Sequence, residues 1–190
     1  MVRFCVCSLF VILFAVPAMA QDEFPRLEMT FGYGRVGLSD LHADILDGTL
    51  SQFGLVTDSR GSHGGFTMHT GLNFTHWLGF EYMLGYYGLG KDNIGNSNEL
   101  LVNIFSGKVA ARQFGRVVPY AVAGIGDGSL RVESLQGGDG GVAFRYGGGV
   151  DVPLNTGMSL KFDLSRMSFG FLNVRESSTN FSVGVTINLM

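Results

Sequence analysis

The sequence predicts an all-β protein, an eight-stranded antiparallel up-and-down β-barrel, from three observations. A period-two alternation of apolar and polar residues recurs about eight times along the chain. Consecutive strand side chains point to opposite faces, so each recurrence has one apolar face and one polar face. The connections alternate between short and long, and an export signal precedes the first strand. The clearest recurrence, at 180–189, alternates without an error almost to the last residue.

Residues 1–20 have the organisation of a secretory signal peptide. Arg3 supplies the positive charge, residues 9–16 form the apolar region, and the Ala-Met-Ala sequence ending at Ala20 matches the small-residue cleavage pattern. We therefore expect cleavage after Ala20 and a mature barrel over residues 21–190. The apolar run is shorter than the roughly 20 apolar residues that a spanning helix needs.

Composition excludes several classes of protein. Both cysteines, Cys5 and Cys7, lie within the signal peptide, so we expect neither a disulfide nor a thiolate metal site in the mature chain. The net charge of −3 and the lack of a basic cluster do not favour a nucleic-acid partner. The four histidines lack the spacing of a metal site, and we expect no metal and no cofactor. Nothing after residue 20 resembles a transmembrane helix, whereas a barrel crosses a membrane with strands of about 9 to 11 residues.

The alternation identifies the eight strands in order. On each strand we expect the large apolar residues to face outward and the small or polar residues to face inward. The fourth strand is the least regular, because its alternation blurs after Phe105. The expected outward faces are Leu27, Met29, Phe31 and Tyr33; Phe66, Met68, Thr70, Leu72 and Phe74; Leu78, Phe80, Tyr82, Leu84 and Tyr86; Leu100, Val102 and Ile104; Tyr120 and Val122; Val142, Phe144, Tyr146, Val150 and Val152; Leu160, Phe162 and Leu164; and Phe181, Val183, Val185, Ile187 and Leu189.

The connections sort by length to the two ends of the barrel, as in outer-membrane barrels with short periplasmic turns and long external loops. Short turns are expected at 75–77, 113–118 and 153–157. Long loops rich in glycine and polar residues are expected at 39–64, 89–97, 126–140 and 170–178. In the first loop Leu41, Ile45, Leu46, Leu50 and Phe53 recur at roughly helical spacing. The sequence leaves open whether loop 39–64 is a lid over the barrel mouth or a binding surface.

The polar face decides which solvent surrounds the barrel. It mixes small residues with isolated charges, which suits the cramped interior of an eight-stranded barrel. Its carboxylates are expected to pair with Arg145, Lys161 and either His69 or Lys108, since an unpaired buried ion costs several kcal/mol. The predicted lumen network is Glu28, His69, Glu81, Arg145, Asp151, Lys161 and Asp163. The apolar face has almost no charge, and only hydrocarbon tolerates that much exposed apolar surface. The sequence therefore predicts a transmembrane β-barrel.

Aromatic residues are expected to form two girdles at the membrane interfaces. Near the short turns the predicted girdle residues are Trp77, Phe74 and Tyr120. Near the long loops they are Tyr33, Tyr86 and Phe144, together with Phe169 and Phe181.

Three stretches, at 27–33, 71–79 and 144–152, resemble the small OmpA-like outer-membrane β-barrel family, which includes opacity proteins and related adhesins. The resemblance covers the whole mature chain. It implies insertion by the barrel-assembly machinery, which usually reads a C-terminal aromatic residue. This chain departs from that pattern by ending in Leu189 and Met190. We expect a bare barrel without a periplasmic domain.

The predicted function is that of a monomeric outer-membrane barrel with a structural, membrane-integrity or adhesin-like surface-contact role carried by its external loops. Expected partners are outer-membrane lipids, lipopolysaccharide, the assembly machinery and a surface ligand, and the lumen is expected to be at most weakly pore-forming. Two alternatives stay open. A lipid-modifying enzyme would use Ser62 and His63, but adjacent residues on an extended chain diverge, so we expect no catalytic residues. A soluble periplasmic lipocalin-like barrel would bind a ligand in its lumen.

Overall fold

The computed structural model describes residues 26–38, 61–91, 97–112, 117–132, 137–171 and 174–189. Nearly all of them lie in eight antiparallel strands that pair in chain order into a closed barrel. The strands are β1 (Leu27–Leu38), β2 (Gly61–Asn73), β3 (Leu78–Lys91), β4 (Ser97–Ala110), β5 (Val118–Val132), β6 (Gly137–Asn155), β7 (Met158–Phe171) and β8 (Val174–Leu189). The predicted eight-stranded up-and-down barrel is confirmed. In the described ranges no helix has the length and apolar character needed to cross a bilayer. The predicted signal peptide lies outside the described residues.

The pairing register staggers the strands around the barrel. A row of paired residues that leaves β8 at Leu189 passes through Leu27, Leu72 and Phe80. It continues through the remaining strands and re-enters β8 at Thr179, ten residues higher. This stagger tilts the strands and leaves an eight-stranded interior just wide enough for side chains.

Side chains close two of the predicted short turns. Between β2 and β3, Leu78 N donates to Thr75 Oγ1 at 2.9 Å, and Phe74 N donates to Leu78 O at 2.9 Å. Between β6 and β7, Gly157 N donates to Asn155 Oδ1 at 2.9 Å. An asparagine side chain bonded to the backbone two residues on mimics a backbone turn. Both turns are confirmed.

Three of the predicted long loops are wrong in extent, because the strands continue through them. β5 runs to Val132 and β6 begins at Gly137, so most of the predicted loop 126–140 is paired strand. Its glycine-rich composition suggested a loop, but strand pairing uses backbone groups and needs no side chain. The strands are also longer than predicted at 89–97 and 170–178.

The first long loop is also shorter than predicted, since β2 begins at Gly61. Residues 39–60, with the five apolar residues at helical spacing, lie outside the described residues. They connect β1 and β2 at the end of the barrel opposite the turn that contains Trp77. This end, which also holds the connections at 92–96, 133–136 and 172–173, is called the outer end below. The inner end holds the short turns, the start of β1 and the end of β8.

The predicted faces of β4 are wrong. Leu100, Val102 and Ile104 are fully buried inside the barrel, whereas Leu101 and Phe105 project outward and are 38% and 51% exposed. The reason lies lower on the same strand. Lys108 shares their face and reaches lumen carboxylates, and a strand cannot turn one alternate residue inward without its neighbours two positions away.

The predicted faces of β5 are wrong as well. Tyr120 and Val122 are buried in the lumen, whereas Ala121 and Ala123 are exposed on the outer wall. Both faces of this segment are apolar, so alternation alone cannot orient it. The Tyr120 hydroxyl decides the orientation, because it bonds to a lumen carboxylate that lipid does not provide.

The outer wall carries exposed large apolar side chains on all eight strands. Exposed representatives, in strand order, are Phe31, Phe66, Phe80, Phe105, Ile125, Tyr146, Leu164 and Phe181. Soluble monomers rarely expose a contiguous apolar surface of this extent, whereas a lipid-facing wall does. The soluble lipocalin-like alternative therefore finds no support, and the transmembrane barrel is the fold that this surface fits.

Candidate functional site

The lumen is the first candidate site, and its charged half begins with a cluster around Glu28 near the inner end. Lys108 Nζ lies 2.6 Å from Glu28 Oε2 and 3.3 Å from Asp151 Oδ2. Arg112 Nη2 donates to Glu28 Oε1 at 2.8 Å, and Asn73 Nδ2 donates to the same oxygen at 2.9 Å. Both oxygens of this carboxylate are therefore held by positively charged or amide donors, as burial requires.

A second cluster, above the first, surrounds Glu81. Arg145 Nη1 donates to Glu81 Oε1 at 2.8 Å, and Lys161 Nζ donates to Oε2 at 2.5 Å. His69 Nδ1 lies 3.1 Å from Oε1. All four side chains are almost completely buried. Because β2, β3, β6 and β7 each supply one residue, the cluster ties strands across the barrel and not merely neighbours.

Arg145 extends the second cluster to Asp163. Its Nη2 donates to Asp163 Oδ2 at 2.7 Å, and its Nε donates to Ser165 Oγ at 3.2 Å. Ser165 in turn donates to Asp163 Oδ1 at 3.0 Å. The planar guanidinium thus satisfies two carboxylates and a hydroxyl with donors in fixed directions, which a lysine ammonium would not reproduce.

Tyr120 joins the two clusters. Its hydroxyl donates to Asp163 Oδ2 at 2.9 Å, while Lys108 Nζ and Lys161 Nζ lie 5.0 and 4.4 Å from the centre of its ring. The ring fits because Gly149 on β6 has no side chain: a Cβ there would collide with the Tyr120 hydroxyl and with the Phe162 carbonyl. Cations within about 6 Å of an aromatic face are attracted to it, so Tyr120 bridges the clusters by hydrogen bonding and by cation–π contact.

The outer half of the lumen is mainly apolar, with Asn98 and Ser178 as buried polar exceptions. Its buried apolar side chains form one cluster: Val36, Met83, Tyr87, Leu89, Leu100, Val102, Ile104, Leu130, Ala143, Met167 and Phe169. Tyr87 lies at the boundary with the charged half, and its hydroxyl donates to Asn180 Oδ1 at 2.8 Å. Asn180 Nδ2 then lies 3.4 Å from Ser165 Oγ. We call the two halves the charged layer and the apolar layer.

Together the layers fill the lumen. In the charged layer four carboxylates (Glu28, Glu81, Asp151, Asp163) meet four cations (Lys108, Arg112, Arg145, Lys161), so the formal charges cancel. An eight-stranded interior has room for these side chains and little else. In the part of the chain that the structure describes, no group of three or more His, Cys, Asp or Glu side chains could hold a metal ion. The arrangement is suited to sealing and stabilising the barrel.

The structure places all seven predicted network residues in the lumen and brings them into the two clusters. The prediction missed Arg112, Asn73 and Tyr120, offered Lys108 only as one of two further cations, and did not foresee the apolar layer. A signal for Lys108 was present: it is the only charged residue between Leu100 and Ala110, and a charge in the membrane-crossing part of a strand is expected to face the interior. No comparable signal marked Tyr120.

Six of the eight predicted girdle residues lie on the outer wall and are exposed: Trp77, Phe74, Tyr33, Tyr86, Phe144 and Phe181. The assignment of Tyr120 to the girdle is wrong, because its ring lies between two lysines in the lumen. Phe169 is likewise buried in the apolar layer. That these six exposed residues mark the membrane interfaces stays a prediction.

The pair considered for an enzyme, Ser62 and His63, lies on β2 and not in a loop. Ser62 is exposed and His63 is half-buried, and successive residues on a strand point to opposite sides of the barrel wall. A hydroxyl nucleophile and its base need to be within hydrogen-bonding reach. The two side chains are therefore poorly arranged to act together.

Comparisons with known proteins identify the family and agree on the fold. A family model described as outer membrane protein beta-barrel domain matches residues 6–187. None of the curated proteins gives a significant match. The structure is similar to that of Neisserial surface protein A, with a TM-score of 0.60 and 15% identity over 88% of this chain and 98% of that one.

Two further solved structures are similar. Ail of Yersinia pestis has a TM-score of 0.53 and 13% identity over 86% of this chain and 98% of its own. The N-terminal β-barrel domain of OprF from Pseudomonas aeruginosa has a TM-score of 0.55 and 13% identity over 87% and 99%. At such identities the likeness shows the fold alone.

Proposed function

The chain belongs to the outer membrane protein beta-barrel domain family, as the resemblance predicted, and we propose that it serves the outer membrane through its wall and outer end and not through its lumen. In this proposal the barrel is a monomer that supports membrane integrity or makes adhesin-like contacts at the cell surface. Residues 1–20 direct export and are removed after Ala20. The partners are outer-membrane lipids, lipopolysaccharide, the barrel-assembly machinery and a ligand of the outer end.

One observation supports this proposal above the others: side chains fill the lumen from the inner end to the outer end. Ion pairs close the charged layer, and close-packed side chains such as Leu100 and Phe169, both fully buried, close the apolar layer. A transport role needs a continuous polar path, and an ion crossing the apolar layer would lose its hydration without compensation. The outer wall and outer end are the surfaces left to carry a function.

A gel-shift experiment tests the membrane barrel. Outer-membrane fractions are extracted in detergent and run on a semi-native gel with and without boiling. We expect a heat-dependent mobility shift, because a closed barrel resists detergent at low temperature. Mass spectrometry of the extracted chain is expected to give an N-terminus at Gln21. Release into a salt-washed periplasmic fraction without a shift would contradict the proposal.

A conductance experiment tests the sealed lumen. Purified chain is reconstituted in planar bilayers, where we expect at most brief, low-conductance events. The matched variant replaces Leu100 and Phe169 together with alanine, which opens space in the apolar layer while the outer wall stays unchanged. We expect this variant to conduct more often than the wild type. Steady conductance by the wild type would overturn the proposal that the lumen carries no transport function.

The surface-contact role rests on the outer end. Ail has been solved in complex with the heparin analogue sucrose octasulfate, which motivates sulfated glycans as the first ligand class to test here. Cells that display the chain are compared with cells in which residues 42–57 are replaced by a short Gly-Ser linker. We expect glycan or host-cell binding to fall in the linker variant while the gel shift stays. Equal binding by both would remove loop 39–60 as the contact surface and leave membrane integrity as the role.

We further propose that the chain has no catalytic activity. The opposed directions of Ser62 and His63 support this. Lipid A extracted from cells that overproduce the chain is expected to have the same mass as lipid A from cells without it. A mass change that disappears in His63→Ala would contradict this part of the proposal.

A further inference from the structure

Two exposed arginines lie at the upper edge of the apolar band on the outer wall. Arg35 on β1 follows Tyr33, which is 60% exposed, and Arg166 on β7 follows Leu164, which is 58% exposed. Each arginine is two residues nearer the outer end than the apolar residue beneath it and shares its outward face. On both strands, the outward-facing residue next above the last apolar one is therefore an arginine.

The register sets the two arginines at the same height. Phe181 on β8 pairs with Arg35 on one side and with Leu164 on the other. Rows of paired residues climb ten residues over eight strands, so two strands account for between two and three residues of climb. Arg166, two residues above Leu164, is thus level with Arg35, with the two Cα atoms on the order of 10 Å apart. Phe181, which is 47% exposed, lies between and below them.

The charges around this pair favour an anion. Among the side chains that the structure describes on β6, β7, β8, β1 and β2, none of the Asp and Glu residues is exposed on the outer wall. The outward carboxylates, Glu99 and Asp127, lie on β4 and β5. Positive charge therefore stands alone on one side of the outer wall.

The two guanidiniums also have donors to spare. Arg35 Nη2 donates to the Ser62 carbonyl at 3.3 Å. Arg166 makes no hydrogen bond or ion pair with the residues that the structure describes. By contrast, Arg145 in the lumen uses three of its nitrogens on carboxylates and a hydroxyl. Free guanidinium donors match the oxygens of a phosphate group in pairs.

We propose that Arg35 and Arg166 form a binding site for the phosphate groups of lipopolysaccharide in the outer leaflet. The acyl chains lie along the apolar wall beneath, over Phe181 and Leu164, and the phosphates lie level with the guanidiniums. The site fits an anionic lipid, since it joins a free apolar surface to a cationic edge at the depth where headgroups begin. The inference rests on the proposed function, in which the end with residues 39–60 faces the cell exterior.

The test uses the full mature chain folded into phosphatidylcholine vesicles with three additions: bisphosphorylated lipid A, dephosphorylated lipid A, or inorganic phosphate alone. The readout is the temperature at which the heat-dependent gel shift is lost. We expect bisphosphorylated lipid A to raise this temperature and the other two additions to leave it unchanged. The double variant R35Q/R166Q is expected to lose the rise, and each single variant to lose part of it.

The matched control is R131Q, an outward and exposed arginine on β5 whose pairing neighbour is Glu99. It is expected to keep the full rise. A rise that survives in R35Q/R166Q would overturn the site, and so would an equal rise with dephosphorylated lipid A or with inorganic phosphate. Failure of the wild type to show any gel shift in plain vesicles would instead count against the proposed membrane barrel, and the two failures are thereby distinguished.

Discussion

The two layers of the lumen seal the same barrel by different physics. In the charged layer each ion is held by specific partners at 2.5 to 3.3 Å, so the arrangement depends on which residue stands opposite which. In the apolar layer, residues such as Leu100 and Ile104 are held by packing. In the charged layer, removal of one ion-pair partner should therefore lower the free energy of unfolding strongly. In the apolar layer, the loss should instead depend on the side-chain volume that is removed.

Arg145→Met is expected to cause the largest loss of stability. It removes the cation shared by Glu81 and Asp163 and leaves both carboxylates buried with fewer donors. Breaking a buried ion pair in this way costs about 3 to 5 kcal/mol. The measurement is urea unfolding in lipid vesicles, followed by the fluorescence of the single tryptophan, Trp77. Arg145→Lys should rescue little, because an ammonium cannot reach both carboxylates. A loss below 1 kcal/mol would show that the charged layer is hydrated.

Leu100→Ala is expected to destabilise the apolar layer by about 2 to 5 kcal/mol, the range for leucine truncation in a packed core. The matched control is Leu101→Ala on the same strand, since Leu101 faces outward and is 38% exposed. The same unfolding assay should show a clearly smaller loss for Leu101→Ala. Unlike Arg145→Lys, the conservative Leu100→Met should restore most of the stability. Equal losses at the two leucines would contradict the orientation of β4.

Tyr120→Phe is expected to cost about 1.5 to 3 kcal/mol, the range for a hydrogen bond to a charged group. The ring and its contacts with Lys108 and Lys161 remain, so the loss is that of the hydroxyl's bond to Asp163 and its longer bond, 3.3 Å, to the Phe162 carbonyl. Tyr146→Phe, on the exposed outer wall, serves as the control and should change the unfolding midpoint little. A larger loss of stability for Tyr146→Phe than for Tyr120→Phe would contradict the placement of Tyr120 in the lumen.

Ser106→Ala is expected to have the smallest effect, within about 0.5 kcal/mol of zero or slightly stabilising. The Ser106 hydroxyl is buried on β4 without a hydrogen-bond partner among the described residues. Its removal deletes a buried polar atom that makes no hydrogen bond to offset its loss of hydration. A loss as large as that of Tyr120→Phe would mean that a water or another group satisfies this hydroxyl.

The sequence was sufficient to predict the strand number, the antiparallel order and most of the charged layer, because isolated charges among small residues mark an interior face. Its two orientation errors have different causes. On β5 both faces are apolar around Tyr120, and alternation cannot orient a strand whose faces do not differ. On β4 the alternation itself misled, because the outward face carries the polar Glu99 and Asn103. Lys108, the only charge between Leu100 and Ala110, could have corrected it, because a charge on a membrane-crossing segment faces the interior. On β5 the same rule would have misled, since Asp127 faces outward above the apolar band.

The apolar layer could not be anticipated for a related reason. Its residues come from six strands, and their juxtaposition depends on the ten-residue stagger, which no single strand records. The predicted loop lengths were too long, because glycine-rich segments such as 137–141 form strand pairs as well as other segments do once a partner strand is present.

The central claim is that specific ion pairs close the inner half of the lumen and that packing closes the outer half. A double-mutant cycle between Arg145 and Asp163 tests this claim most directly. Arg145→Met with Asp163→Asn removes one positive and one negative charge and leaves Glu81 with Lys161. We predict a coupling free energy of unfolding of about 1 to 3 kcal/mol, with the double variant more stable than the two single losses imply. A parallel cycle of Arg145→Met with Leu100→Ala should be nearly additive. Additive losses for Arg145 and Asp163 would contradict the account.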